Sequence, residues 1–215
     1  RHAARLLGLR RGVRVSLALL RERIPSINSW LLAGVFVCIP VQVAPAYPLS
    51  AAMLALWVVE GRLGAKLRAL AAEPLVWIVV GYYGVLMSSM LWTDDTAWGW
   101  RMVHRQTFFL LFPLYLSVAR REHFGRYVAA FLFSIAACEA LAFYNWAQMH
   151  LWPGLPEGVR VDKTPEDTAP FVDRIMYTPA LALAGYLAGP RLLFESTTLR
   201  QRALYGGLLA ATVLN

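Results

Sequence analysis

From Ser29 onward, long apolar stretches alternate with short polar ones. The first, "SWLLAGVFVCIPVQVAPAYPLSAAMLALWVV", is interrupted by Pro40, Pro45 and Pro48. Further runs cover Pro74 to Leu91, Trp98 to Val118, Phe124 to Met149 and Ile175 to Phe194, and a last one runs from Ala203 to Asn215. An apolar run of about 20 residues crosses a bilayer as a helix. Period-2 alternation is absent, which excludes the other structure able to span lipid, a closed barrel. The pattern predicts an all-α polytopic membrane protein with about seven membrane segments. Residues 29–60 form either two tightly connected spans or a re-entrant hairpin. The final run is too short to span, so more segments are expected beyond Asn215. Residues 1–28 read differently: "ARLLGLRRGVRVSLALLRER" mixes Leu and Val with Arg. It is a basic cytoplasmic segment, either a helix lying on anionic headgroups or a frayed tail. The chain thus divides into this segment and a helical membrane domain, 29–215, with its longest polar interruption in an outer loop, 150–173.

Composition sharpens this picture. The 215 residues are 58% hydrophobic, with a mean hydropathy of +0.49. Only 16% are charged, against roughly 25% in soluble domains. The net charge of +8 does not indicate nucleic-acid binding, because the basic residues lie in short connections with no soluble domain to present them. Topology explains them. With the amino terminus in the cytoplasm, sixteen basic residues fall inside and five (Arg101, Arg105, Arg160, Lys163 and Arg174) outside, as the positive-inside rule requires. Cys38 and Cys138 both sit in apolar runs and read as buried small hydrophobes. No metal and no cofactor are expected.

The outer basic residues are the candidates for chemistry. Arg174 opens an apolar run on the side where arginines are rare. A helix amino terminus there presents unpaired N–H groups and the positive dipole end, and a guanidinium beside it grips phosphate oxygens in a fork. The site suits a phosphate or diphosphate at the outer leaflet; the plain alternative is a snorkelling arginine paired with Asp173 or Glu166. Arg101 and Arg105, four apart, share a helix face bordered by His104. Arg105 lies about 12 Å below its helix start and Glu139 about 15 Å below the outer end of its own span. The matching depths favour an Arg105–Glu139 ion pair, since intramembrane charges find partners. In "WTDD", Thr93, Asp94 or Asp95 reads as a helix cap rather than a metal ligand. Pro113 and Pro179 remove backbone donors within the helices that carry the arginines.

At "DRIMYTPALALAGYLAG" the sequence resembles the O-antigen ligase family. An Arg opens a span after a Pro-rich outer loop, and a "YxPxLALAxxxL"-like run follows. The wider group includes O-antigen polymerases and protein O-oligosaccharyltransferases. Some twenty residues carry the motif; the hydropathy pattern extends over most of the chain, like the first half of such a protein. The resemblance implies a metal-independent glycosyltransferase of the GT-C type in the bacterial inner membrane, with its site facing the periplasm. It would move a glycan from undecaprenyl diphosphate to the lipid A-core acceptor, in lipopolysaccharide biosynthesis. Arg174 is the position matching the family's diphosphate-holding arginine. The family's second arginine and catalytic histidine belong to later helices, expected beyond Asn215, and His104 does not replace them.

Three rival readings stand beside this one. An O-antigen polymerase uses the same donor with another acceptor. A transporter or flippase of an anionic lipid would also want broken helices and intramembrane charges, though with repeat symmetry that this chain lacks. A structural membrane subunit leaves the outer arginines unexplained.

Overall fold

Prolines, glycines and caps punctuate the chain where its helices start and stop. The computed structural model describes residues 2–152, 154, 156, 158, 171, 174–194 and 198–214, with side chains from Glu22 in the first helix and Tyr177 in the eighth. Expectations resting on Arg160, Lys163, Glu166 and Asp173 lie outside these residues. The described residues are helical, without strands: α1 (His2–Val41), α2 (Ala46–Glu60), α3 (Leu63–Ala71), α4 (Pro74–Ser89), α5 (Thr96–Arg105), α6 (Phe112–Val118), α7 (Phe124–His150), α8 (Arg174–Phe194) and α9 (Leu199–Leu214). Short 3₁₀ segments, Gln106–Leu111 and Arg121–His123, precede α6 and α7.

The expected boundary at residue 28 falls inside α1, which continues through Pro25 to Val41. The break after it contains Pro45, and Pro48 lies in the first turn of α2. Gly61 (φ +83) and Arg62 (φ 57) end α2 in the left-handed region, where glycine has no Cβ to clash. Pro74 opens α4 at a position where no N–H is needed. Pro113 sits at the start of α6. It cannot donate to the preceding turn, and the chain there tightens into the 3₁₀ segment 106–111 instead of continuing α5. The expected single span from Trp98 to Val118 is therefore three pieces.

Among the described residues, two stretches are long and apolar enough to cross a membrane, Glu22–Val41 and Arg121–His150. A third qualifies if α3 and α4, bent by 81° at their junction, count as one span. α2 is apolar but only 15 residues long.

The chain forms two compact units. The first comprises residues 1–32 and 47–121, the second 33–46 and 122–215. In the first, Trp57 of α2 donates its indole N–H to Ser117 (2.8 Å) and Ser50 pairs with the Tyr115 hydroxyl (2.7 Å), fixing α2 against α6. In the second, Val128, Phe131, Leu132, Ile135 and Cys138 form one stripe of α7, spaced three and four apart as a helix face demands. They pack on Tyr177, Leu181 and Ala184 of α8. Ala184 and Ala188 are fully buried, small residues that let helices approach closely.

Candidate functional site

The outer residues singled out by the sequence fall in both units. In the first, α5 is capped by Asp95, whose carboxylate accepts the Trp98 backbone N–H at 2.9 Å. That is the capping role expected for this motif. Gly99 and Val103 bury one face of α5, while Trp98, Trp100, Arg101, His104 and Arg105 are exposed. A Cβ at Gly99 would lie 2.7 Å from the Met90 sulfur, so glycine permits that close approach. Arg101 bonds only weakly to its own helix, Nε to the Ala97 carbonyl at 3.4 Å. Arg101, His104 and Arg105 form one exposed basic face, flanked by indoles.

The second unit holds the most elaborate buried polar arrangement among the described residues. Glu139 on α7 is 3% exposed and accepts the Tyr177 hydroxyl at 2.8 Å. Burial of a carboxylate in apolar surroundings is costly unless hydrogen bonds compensate, and this bond ties α7 to α8. One turn earlier on α7, Ser134 donates to the Val37 carbonyl (2.7 Å), and the Cys138 sulfur lies 3.9 Å from the Pro40 carbonyl. Both carbonyls are near the carboxyl end of α1, and that of Pro40 is among its last four, which lack helical partners. The Tyr144 hydroxyl donates to the Pro156 carbonyl (2.9 Å), holding the chain just after α7 to that helix.

α8 begins at Arg174; the arginine side chain lies outside the described residues. Tyr177 is three positions on, so the two residues share a helix face. Glu139 thus anchors α8 about one turn from its amino terminus. The proposed Arg105–Glu139 ion pair would join residues of different units. Within its own unit Arg105 is exposed at the end of α5, and within the other the Glu139 carboxylate is engaged by Tyr177.

Sequence reading passed over Tyr177, because a phenol in an apolar run looks like any packing aromatic. Its signal was position: a polar tip one turn inside a helix, at a depth comparable to an unexplained buried acid. Lys66 was counted only as a loop charge. It donates to Glu60 Oε2 and to the Trp57 carbonyl, both at 2.8 Å, with its ammonium 4.7 Å from the Trp57 ring centroid. It therefore neutralises the carbonyl end of α2.

Among the described residues no group of His, Cys, Asp and Glu is arranged to hold a metal ion. No family model, curated protein or solved structure matches the chain.

Proposed function

We propose that the chain is an inner-membrane, multi-pass glycosyltransferase segment of the O-antigen ligase type, which binds the diphosphate of an undecaprenyl-linked glycan at the periplasmic end of α8. The observation behind this reading is Arg174 as the first residue of α8, a helix fixed to α7 one turn later by the Tyr177–Glu139 bond. A guanidinium at a helix amino terminus adds to the N–H groups and dipole already favouring an anion. Fixing the helix preorganises both. Preorganisation matters because transfer from a glycosyl diphosphate breaks the anomeric C–O bond while charge builds on the leaving diphosphate. One well-placed donor to such charge is worth about 3–4 kcal/mol.

Membrane placement is supported by more than hydropathy. On α4, Trp77, Ile78 and Val85 are each at least 60% exposed, and Val76 alone is buried. Phe133 on α7 and Tyr186 on α8 are over 70% exposed. Water-soluble proteins seldom leave large apolar faces uncovered; lipid covers them without cost. The charge asymmetry supports an inside amino terminus and, with it, an outside start for α8.

The test is glycan transfer by the full-length protein from undecaprenyl-diphosphate donor to lipid A-core, comparing wild type with Arg174→Ala and Arg174→Lys. Normal insertion with transfer reduced at least a hundredfold in Arg174→Ala supports the reading. Unchanged transfer makes Arg174 an end-cap and removes it. Lengthening of glycan on its own carrier, with none passed to lipid A-core, makes the protein a polymerase.

A further inference from the structure

The second unit has a groove whose lining does not include Arg174. It measures about 870 Å³ and lies along α7 and α9, with Arg191 of α8 at its rim. That volume is in the upper part of the roughly 300–1,000 Å³ range typical of ligand sites. Ala136 and Ala140 of α7 and Leu204, Leu208 and Ala211 of α9 provide an apolar wall. The charged lining is unevenly placed. Arg191 is in the last turn of α8 and Arg200 is the second residue of α9, so both lie at the ends of consecutive helices. Glu139 also contributes, at 3% exposure and with its carboxylate accepting the Tyr177 hydroxyl, and the two arginines outnumber it.

The geometry points to an anionic glycerophospholipid as the occupant, its phosphate on Arg191 and Arg200 and an acyl chain lying between α7 and α9. Three features agree. Arg200 to Ala211 is a rise of 11 residue steps along α9, about 16 Å of helix, close to half of the roughly 30 Å hydrocarbon core. The groove thus has the length of one leaflet. Its basic end is the end that the charge asymmetry assigns to the cytoplasm, where anionic headgroups meet basic pockets between membrane helices. Its wall is apolar and partly built from alanines, leaving room for a chain rather than filling it. A zwitterionic lipid would use the same wall but gain less from the two arginines.

This inference rests on the membrane placement proposed above, and not on the glycosyltransferase reading. The experiment is native mass spectrometry of the full-length protein released from nanodiscs containing equal phosphatidylglycerol and phosphatidylcholine. Wild type is compared with Arg191→Gln, Arg200→Gln, the double variant and Arg62→Gln, an exposed arginine in the other unit. Preferential retention of phosphatidylglycerol is expected, falling about fivefold for each groove arginine, the equivalent of about 1 kcal/mol per charge, and unchanged in Arg62→Gln. Ala140→Phe, which narrows the wall, should lower retention of both lipids. Equal retention of the two lipids in wild type, or no loss in the double variant, overturns the proposal. So does cross-linking from Ala211→Cys that captures a second copy or another helix in the groove. Recovery of the protein in aqueous extracts without detergent would instead overturn the membrane placement itself.

Discussion

Replacing Tyr177 with phenylalanine removes one oxygen from the buried contact and nothing else. The ring stays packed against the α7 stripe, with Tyr177 only 4% exposed in wild type. The loss is the 2.8 Å bond to Glu139. Interhelical hydrogen bonds within membrane bundles average about 0.6 kcal/mol and reach about 1.7. A carboxylate acceptor puts this one toward the upper end, because charged partners make stronger bonds. Tyr177→Phe should therefore destabilise by about 1–1.7 kcal/mol. Glu139→Gln retains an acceptor oxygen and the side-chain volume, and should cost less than Tyr177→Phe. Glu139→Ala deletes the acceptor, strands the phenol and opens a void, for roughly 2–4 kcal/mol. The assay is equilibrium unfolding of purified protein in mixed micelles, followed by a double-mutant cycle of Tyr177→Phe with Glu139→Ala. A positive coupling energy near the Tyr177→Phe value is expected. The reasoning fails if the two substitutions add independently, or if Glu139→Gln is as damaging as Glu139→Ala. Either result would mean that the carboxylate is held by something other than the Tyr177 hydroxyl.

Other expectations follow from individual contacts. Asp95→Ala should weaken the start of α5 by about 1 kcal/mol, seen as faster amide exchange at Trp98, while Asp95→Asn, which can still cap, should not. Lys66→Met should destabilise the first unit more than Lys66→Arg does, because the methionine leaves the half-exposed Glu60 unpaired; the comparison is read from thermal melts, with an effect of at most about 1–2 kcal/mol since both groups are partly solvated. Cys138 is fully buried and should resist maleimide until the protein is unfolded, whereas early labelling would mean that α7 and α8 separate readily. In a cysteine-free background, an impermeant maleimide should reach Trp152→Cys in intact cells and Arg68→Cys only after permeabilisation; the reverse pattern would invert the proposed orientation.

How far the sequence determined this structure depends on the kind of signal. Proline and glycine act locally, so the breaks near Pro45 and Pro74 were legible at once, as was capping within "WTDD", whereas Pro113 was expected to kink one span and instead lies where it divides. The helical character of 124–150 and 174–194 followed from apolar runs with no alternation. Lengths were harder. The charge cluster at 62–68 read as a plain connection, yet Leu63–Ala71 is a helix bent 81° from α4. Nine residues carry too little periodicity to separate a short helix from a loop. Similarly, α1 runs unbroken past residue 28, because a change of composition from basic to apolar does not interrupt backbone hydrogen bonds.

Partner choice was the least legible feature, and Glu139 shows why. A hydropathy profile gives the depth of a residue along its helix to within a turn, about 5 Å. It gives nothing about which way the residue faces across the bundle. Matching depths favoured Arg105, a residue of the other unit, for Glu139, and depth by itself could not have pointed to Tyr177. The azimuth is set by the α7 stripe: Ile135, Cys138 and Ala142 are buried, and Glu139 lies on the same side. That stripe packs on α8, and Tyr177 of that helix reaches the acid. The same logic bears on Arg174. Because Tyr177 is held, the first turn of α8 is held with it, and a guanidinium three residues away starts from a fixed backbone. On the proposed reading, an anion at that helix end would meet a backbone fixed from α7 by the buried acid.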